Sequence, residues 1–361
     1  MSSLKRLLNR SGDVAKKHVV AGFDGFIDTI ARTIRHTAAD DTNVQYFETI
    51  SQFGQYLTGQ AKKSCSVGLK VSSRQPGGNM PNLSRALANL GIQVSCIGML
   101  GADGAIDPLF QDMPCNLYPF AAAVQSMCLE FTDGKVMLAP ECTLTVSPWT
   151  LVMQATDGNA LSLFQQADLI ALVNWSELDF SQQLWQSVYD LALASDPTDK
   201  ERYTFFDLCD CSRKSAFEMD EILKLIGQFA EKRTSILSLN ENEAHIISAA
   251  LLSAGHDAFS IGRSLRKSYG IDEILIHTAH DSFLITKKGE TTLPSLYVRN
   301  PKILTGAGDN FNAAFCFGLL AGLDDLERLD FACRFTSFYI TWGRSPKLED
   351  ILLFQKQPDR L

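Results

Sequence analysis

No stretch of this chain reaches the roughly eighteen consecutive apolar residues that a membrane-spanning helix needs. Residues 1–17 are polar and basic and lack the apolar core of a secretory leader, so a cytoplasmic protein is expected. The chain also lacks a cysteine framework. Its nine cysteines, at 65, 96, 115, 128, 142, 209, 211, 316 and 333, are odd in number and irregular in spacing, which suits a reducing compartment. Neither Cys209-Asp210-Cys211 nor the pair His277 and His280 has a second half at zinc-site spacing, and buried thiols and strand-end histidines are expected there. Positive charge is scarce as well: 33 Lys and Arg face 41 Asp and Glu, a formal net charge of -8, which excludes a surface built for nucleic acid or anionic membrane. There is no internal repeat, no low-complexity tract and no linker long enough to separate domains. With 45% hydrophobic residues the 361-residue chain can bury a sizeable core, and residues 1–361 are read as a single α/β domain.

What the chain does have is concentrated around Leu304-Thr305-Gly306-Ala307-Gly308-Asp309-Asn310-Phe311. Two glycines flank an alanine, so successive amides can approach a ligand, and Phe311, Ala314, Phe315, Gly318 and Leu319 follow at helical spacing. At a helix N-terminus such amides, with the helix dipole, make a socket for phosphate oxygens. Asp309 at its mouth is placed to accept a proton from a hydroxyl while the amides carry charge developing on a phosphoryl group. An ordinary turn with Asp309 as N-cap satisfies the same residues.

Two further motifs precede it. Gly77-Gly78-Asn79-Met80-Pro81-Asn82 opens a helix with Leu83, Ala86, Leu87 and Leu90 on one face and Gly91 closing it. Asn240-Glu241-Asn242-Glu243 follows an apolar strand, and its Asn-x-x-Glu spacing is also that of a capping box. Residues 19–23, 92–97, 168–173, 204–208, 235–239 and 274–277 read as strands buried on both faces, with helices over 178–194 and 218–229, a pattern that points to a parallel sheet between helical layers. The clearest hairpin joins 124–131 to 135–139 through Thr132-Asp133-Gly134. Residues 29–37 alternate as a strand that has left the main sheet, and 47–57 have helical spacing.

The three motifs, in this order between about 19 and 345, resemble the ribokinase-like (PfkB) carbohydrate kinase family, the Gly-Ala-Gly-Asp motif being the most specific. The resemblance implies a three-layer α/β/α fold with a mostly parallel central sheet and a small β lid, its strands drawn from about 29–75 and 124–139. It implies ATP and Mg2+ as cofactors and transfer of a phosphoryl group to a hydroxyl of a small sugar-like substrate. On this reading Asp309 is the base and the amides of Gly306, Ala307 and Gly308 the anion hole. ATP would be bound by Thr305, Gly306, Gly308, Asn240 and Glu243, with Glu243 reaching the metal through water. Asp28, Asp24, Gly77, Gly78, Asn82 and Asp103 would meet the substrate, although Asp24 also suits a turn before Gly25 and Asp103 a loop support. Where the family has Asp-Thr this chain has Ile303-Leu304, which puts the monovalent cation of that family in doubt. Lid strands often pair between subunits in the family, so a homodimer through the lid is expected. The acceptor end is open: a nucleoside or another hydroxymethyl compound is an alternative, as is a non-catalytic binder of the same fold, against which intact Asp309 argues. A dinucleotide fingerprint would need Gly at Phe311.

Overall fold

The computed structural model describes residues 12–37, 44–252 and 257–354; the beginning of the N-terminal segment read above lies outside them. Among the described residues no helix is long and apolar enough to cross a membrane. Among the described residues fourteen strands form two sheets. The larger contains β1 (His18–Phe23), β5 (Gln93–Gly98), β6 (Asn116–Pro119), β9 (Leu169–Val173), β10 (Tyr203–Asp207), β11 (Thr234–Asn240), β12 (Glu273–His277), β13 (Asp281–Thr286) and β14 (Glu290–Pro294). Its order is β14-β13-β12-β11-β10-β9-β1-β5-β6, parallel from β12 to β6 and antiparallel at β12-β13 and β13-β14.

Alternation along the strands feeds two cores. On one face Val19 and Ala21 of β1, Ala171 of β9 and Phe205 of β10 pack with α2 (Asn79–Asn89), α9 (Ala307–Leu320) and α10 (Asp325–Trp342). On the other, Val20, Leu172 and Phe206 pack with α3 (Pro148–Ala155), α4 (Ala160–Gln166), α5 (Ser181–Ser187), α6 (Ala216–Lys232), α7 (Glu241–Leu251) and α8 (Ala258–Tyr269). The expected helix over 178–194 begins later, at Ser181, and after Ser187 widens into a π-turn in which the Ala194 N–H donates to the Tyr189 carbonyl at 2.7 Å. The antiparallel strands β13 and β14 add an edge that periodicity does not single out.

The smaller sheet is β2 (Phe26–Thr37), β3 (Val44–Tyr46), β4 (Gly68–Gly77), β7 (Val124–Phe131) and β8 (Gly134–Leu138), with α1 (Ile50–Gly59) beside it. β2 runs parallel to β7 and antiparallel to β4, and β7 and β8 form the hairpin. Because β1, β9, β10 and β11 run the same way, their carboxyl ends bring Asp24, Asn174, Asp207 and Asn240 to one edge of the large sheet, where an open α/β sheet binds ligands. The small sheet leaves β1 at that edge.

Candidate active site

The anion loop is built around Gly306, the residue before α9. Its φ of +80° is left-handed, and a Cβ there would fall 2.8 Å from the Tyr339 hydroxyl, so glycine is required. Tyr339 donates to the Thr305 carbonyl at 2.7 Å, and the Asn310 amide and side chain both donate to the Gly306 carbonyl, at 3.0 and 2.8 Å. Of the three amides expected to bind anions, that of Ala307 is turned to the Leu304 carbonyl at 3.1 Å, a correction to the sequence reading. The tight turn into α9 uses it. The N–H groups of Gly306, Gly308 and Asp309 have no partner among the described residues, as the first turn of a helix leaves them.

Asp309 is buried in that first turn. Burial, and next the charge of Asp207, push its carboxyl well above the ordinary range, while Asn82 Nδ2, donating to Oδ2 at 2.8 Å, acts the other way. Asn82 therefore faces the anion loop from α2 and not the solvent. α2 itself is anchored from β1: the two carboxylate oxygens of Asp24 accept from the Asn79 and Met80 amides at 2.7 and 2.8 Å, and Asn174 Nδ2 donates to Asp24 at 2.7 Å. Gly78, with φ of +98°, lets the chain pass where a Cβ would lie 2.5 Å from the Asp24 carboxylate. Asp24, pushed up to about 6 by burial, is thus neither a free turn residue nor in the cavity lining; it closes the open amides of a helix.

Asp28 is buried on β2, opposite Ser126 of β7 in register, and the Ser126 hydroxyl donates to it. Gly77 ends β4 opposite Phe26 and shares a lining with Asp28. Asp103 stands apart: it lies exposed in the turn after β5, φ 53°, outside the linings that hold Asp28 and Asp309.

Asn240 and Glu243 form the capping box of α7. The Glu243 amide donates to Asn240 Oδ1 at 2.9 Å, the Asn240 amide to Glu243 at 2.9 Å and its side chain at 2.6 Å. Glu243 is buried, and burial followed by the Asp207 charge pushes it well up. Asp207, raised to about 6 by burial, accepts from the Cys209 amide at 2.8 Å and from Asn312 Nδ2 at 2.7 Å.

Two cavities of about 730 Å³ each meet at the anion loop. Ala307 and Gly308 line the first with Asn240, His277, Thr336 and Ile340; His277, lowered to about 4 by burial, is a neutral wall there. Gly306 and Asp309 line the second with Asp28, Gly78, Asn82, Asn174, Lys135 and Arg213. Lys135, which the sequence reading passes over, reaches from β8 to donate to Thr305 Oγ1 at 2.9 Å. Asn174 is likewise outside the site expected from the motifs, for it is brought there across strand ends.

The donor set suits magnesium. Asp207, Glu243 and Asp309 are buried oxygen donors: burial raises all three, and the Asp207 charge adds to it at Glu243 and Asp309, so a cation near them would relieve an unfavourable field. Among the described residues no three carboxylate, histidine or cysteine groups form a cage. A monovalent cation does not fit in the same way. The cavity of about 460 Å³ beside Ile303 is lined by Arg85, Arg344 and Lys347 with Asp28 as its one carboxylate among the described residues, and isoleucine adds none.

The model of the prokaryotic ketohexokinase family matches residues 7–357. A ketohexokinase of Haloferax volcanii is 21% identical over 353 residues, 93% of this chain and 90% of its own length. Among solved structures, ribokinase from Thermotoga maritima superposes with a TM-score of 0.66 at 16% identity, covering 94% of this chain and 99% of that one. Arabidopsis thaliana ribokinase complexed with ribose and ATP does so with 0.62 at 17%, covering 94% and 98%. With a family match over nearly the whole chain and the anion loop set between two cavities, the protein is a carbohydrate kinase of the prokaryotic ketohexokinase family, built on the ribokinase-like fold.

Proposed function

We propose that this kinase transfers the γ-phosphoryl group of magnesium-ATP to a hydroxyl of a ketohexose, with Asp309 as general base. The observation that carries the reading is the position of Asp309 in the first turn of α9, between a cavity on the Asn240–Thr336 side and one on the Asp28–Asn82 side. ATP would lie in the first, its phosphates over the amides of Gly308 and Gly306. The sugar would lie in the second against Asp28, Asn82, Gly77 and Gly78. Phe26 is the single aromatic ring in that lining among the described residues, a poor stack for a nucleoside base.

As the acceptor oxygen bonds to the γ-phosphorus, its proton passes to Asp309, and the bond to the β,γ-bridging oxygen breaks with its electron pair leaving on ADP. The free amides accept the charge of the equatorial oxygens. Asn240, and Glu243 through water, would hold magnesium, which when bound neutralises phosphate charge. Asn82, donating to one Asp309 oxygen, favours the ionised form and aims the carboxylate. The small sheet would close over the sugar as a lid and exclude water. We further propose that the lid pairs in a homodimer, since edge strand β4 leaves Leu69 and Val71 exposed.

ADP release from magnesium-ATP, measured with fructose and other ketohexoses, aldoses and nucleosides, tests the reading. Turnover with a ketohexose is expected, and Asp309→Asn should lower kcat about a thousandfold with ATP affinity kept. Turnover with nucleosides alone, or full activity in the variant, would overturn it.

A further inference from the structure

Lys135 sits on β8 at the edge of the small sheet. The pairings Asp28 with Ser126, Cys128 with Met137 and Glu130 with Lys135 set its side chain on the same face as Asp28 and Ser126, the face that lines the acceptor cavity. Its Nζ donates to Thr305 Oγ1 at 2.9 Å, across 170 residues of sequence. Thr305 immediately precedes Gly306, and its carbonyl is fastened by Tyr339, so the hydroxyl stands at the start of the anion loop.

Two cationic side chains line this cavity. Arg213 is paired with Glu177 at 2.7 Å. Lys135 has a neutral hydroxyl as partner and no carboxylate in salt-bridge contact among the described residues. A hydroxyl takes one of the three ammonium hydrogens and returns no countercharge. A full positive charge therefore stands one residue from the free amides of the anion loop and in the same cavity as Asp309, in a protein of net charge -8.

Resting on the kinase reading above, we propose that Lys135 is a catalytic residue whose ammonium, carried on the small sheet, contacts the phosphoryl group in transit. The ammonium exchanges the Thr305 hydroxyl for an equatorial oxygen of that group. Lys135 stays protonated throughout: the acceptor proton goes to Asp309, the new bond joins acceptor oxygen to phosphorus, and the electron pair of the broken bond leaves with ADP. Because the ammonium is carried on the small sheet, movement of that sheet over the acceptor moves the charge with it.

The test compares Lys135→Gln, which keeps a hydrogen-bond donor for Thr305 without charge, with Lys135→Arg, which keeps the charge. Lys135→Gln should lose about 100-fold in kcat with the acceptor KM within about threefold, the mark of an interaction made in the transition state. Lys135→Arg should recover some of that loss. A latch between the sheet and the loop would give the reverse order, with Lys135→Gln near wild type, and would overturn the proposal. A second measurement does not depend on turnover: calorimetric affinity of the whole protein for magnesium, ADP and aluminium fluoride, with fructose present. Lys135→Gln should weaken that complex about tenfold and leave ADP alone unchanged. Should wild type phosphorylate no ketohexose yet show this loss, the acceptor assignment fails and the role of Lys135 stands. Equal affinity in the two proteins, or unchanged kcat, defeats Lys135 whatever the acceptor.

Discussion

In the role proposed for it Asp309 has to be ionised, yet its surroundings oppose that. Burial is the first cause and the carboxylate of Asp207 the second, with Asp24 adding to it. A cation bound nearby would act against both causes, so ligand binding and the proposed base are electrostatically linked. The sign of the pH dependence follows: kcat/KM falls as pH drops through the raised Asp309 value, a limb placed above the ordinary carboxylate range. Asp207, itself near 6, carries its charge on the alkaline side of that point. Asp207→Asn removes the charge and should move the limb of the pH profile to lower pH; an unmoved limb would show that burial alone sets it. The same variant meets a hydrogen-bond conflict, because Ser238 donates to Asn312 Oδ1 and leaves Asn312 Nδ2 needing the acceptor that Asp207 supplies. Some loss of stability is therefore expected alongside the shift. Asp309 and Asn82 were legible from their motifs. The influence of Asp207 was not, since it acts through space across strand ends.

Single helices in this fold are finished by side chains from distant elements. Asp24 does this for the start of α2, where Gly78 offers no capping side chain. Arg233 does it for the end of α4: buried after α6, it donates to the carbonyls of Phe164 and Gln165 at 2.9 and 3.0 Å and of Ala167 at 2.7 Å. Burial lowers it to about 10, so it remains charged at neutral pH. Arg233→Met would leave the buried Phe164 and Ala167 carbonyls without their side-chain donor, Gln165 keeping that of Arg202, and should cost about 3 kcal/mol, read as a lower unfolding midpoint with kcat unchanged in the folded fraction. Helix existence was legible from periodicity, as at 218–229, and so was the 124–139 hairpin from its Thr-Asp-Gly turn. Helix ends were less so. The stretch after Ser187 passes into a π-turn although its apolar spacing reads as ordinary helix, and the Asn240–Glu243 box could be read from spacing alone while its burial beside Asp207 could not.

For the whole molecule the decisive feature is that two sheets meet at one edge. β1 ends at Phe23 and β2 starts at Phe26, so the short stretch through Asp24 and Gly25 carries the chain from the large sheet to the small one, close to the anion loop. The proposed dimer belongs to this scale. Light scattering should give twice the chain mass, and Val71→Lys on the exposed edge should halve it; a wild-type monomer would remove the proposal.

Local chemistry was enough to establish the alternating layers, the glycine turn before α9 and the type of side chain at its mouth, because periodicity and turn geometry act over a few residues. Family resemblance then followed from motif order. What only the tertiary structure decided were contacts between residues far apart in the chain. It turned Asp24 toward a helix start, left Asp103 outside the cavity, committed the Ala307 amide to Leu304, and set Lys135 against Thr305. Each depends on where strand ends and sheet edges come together, and packing of the whole chain, not local spacing, determines that.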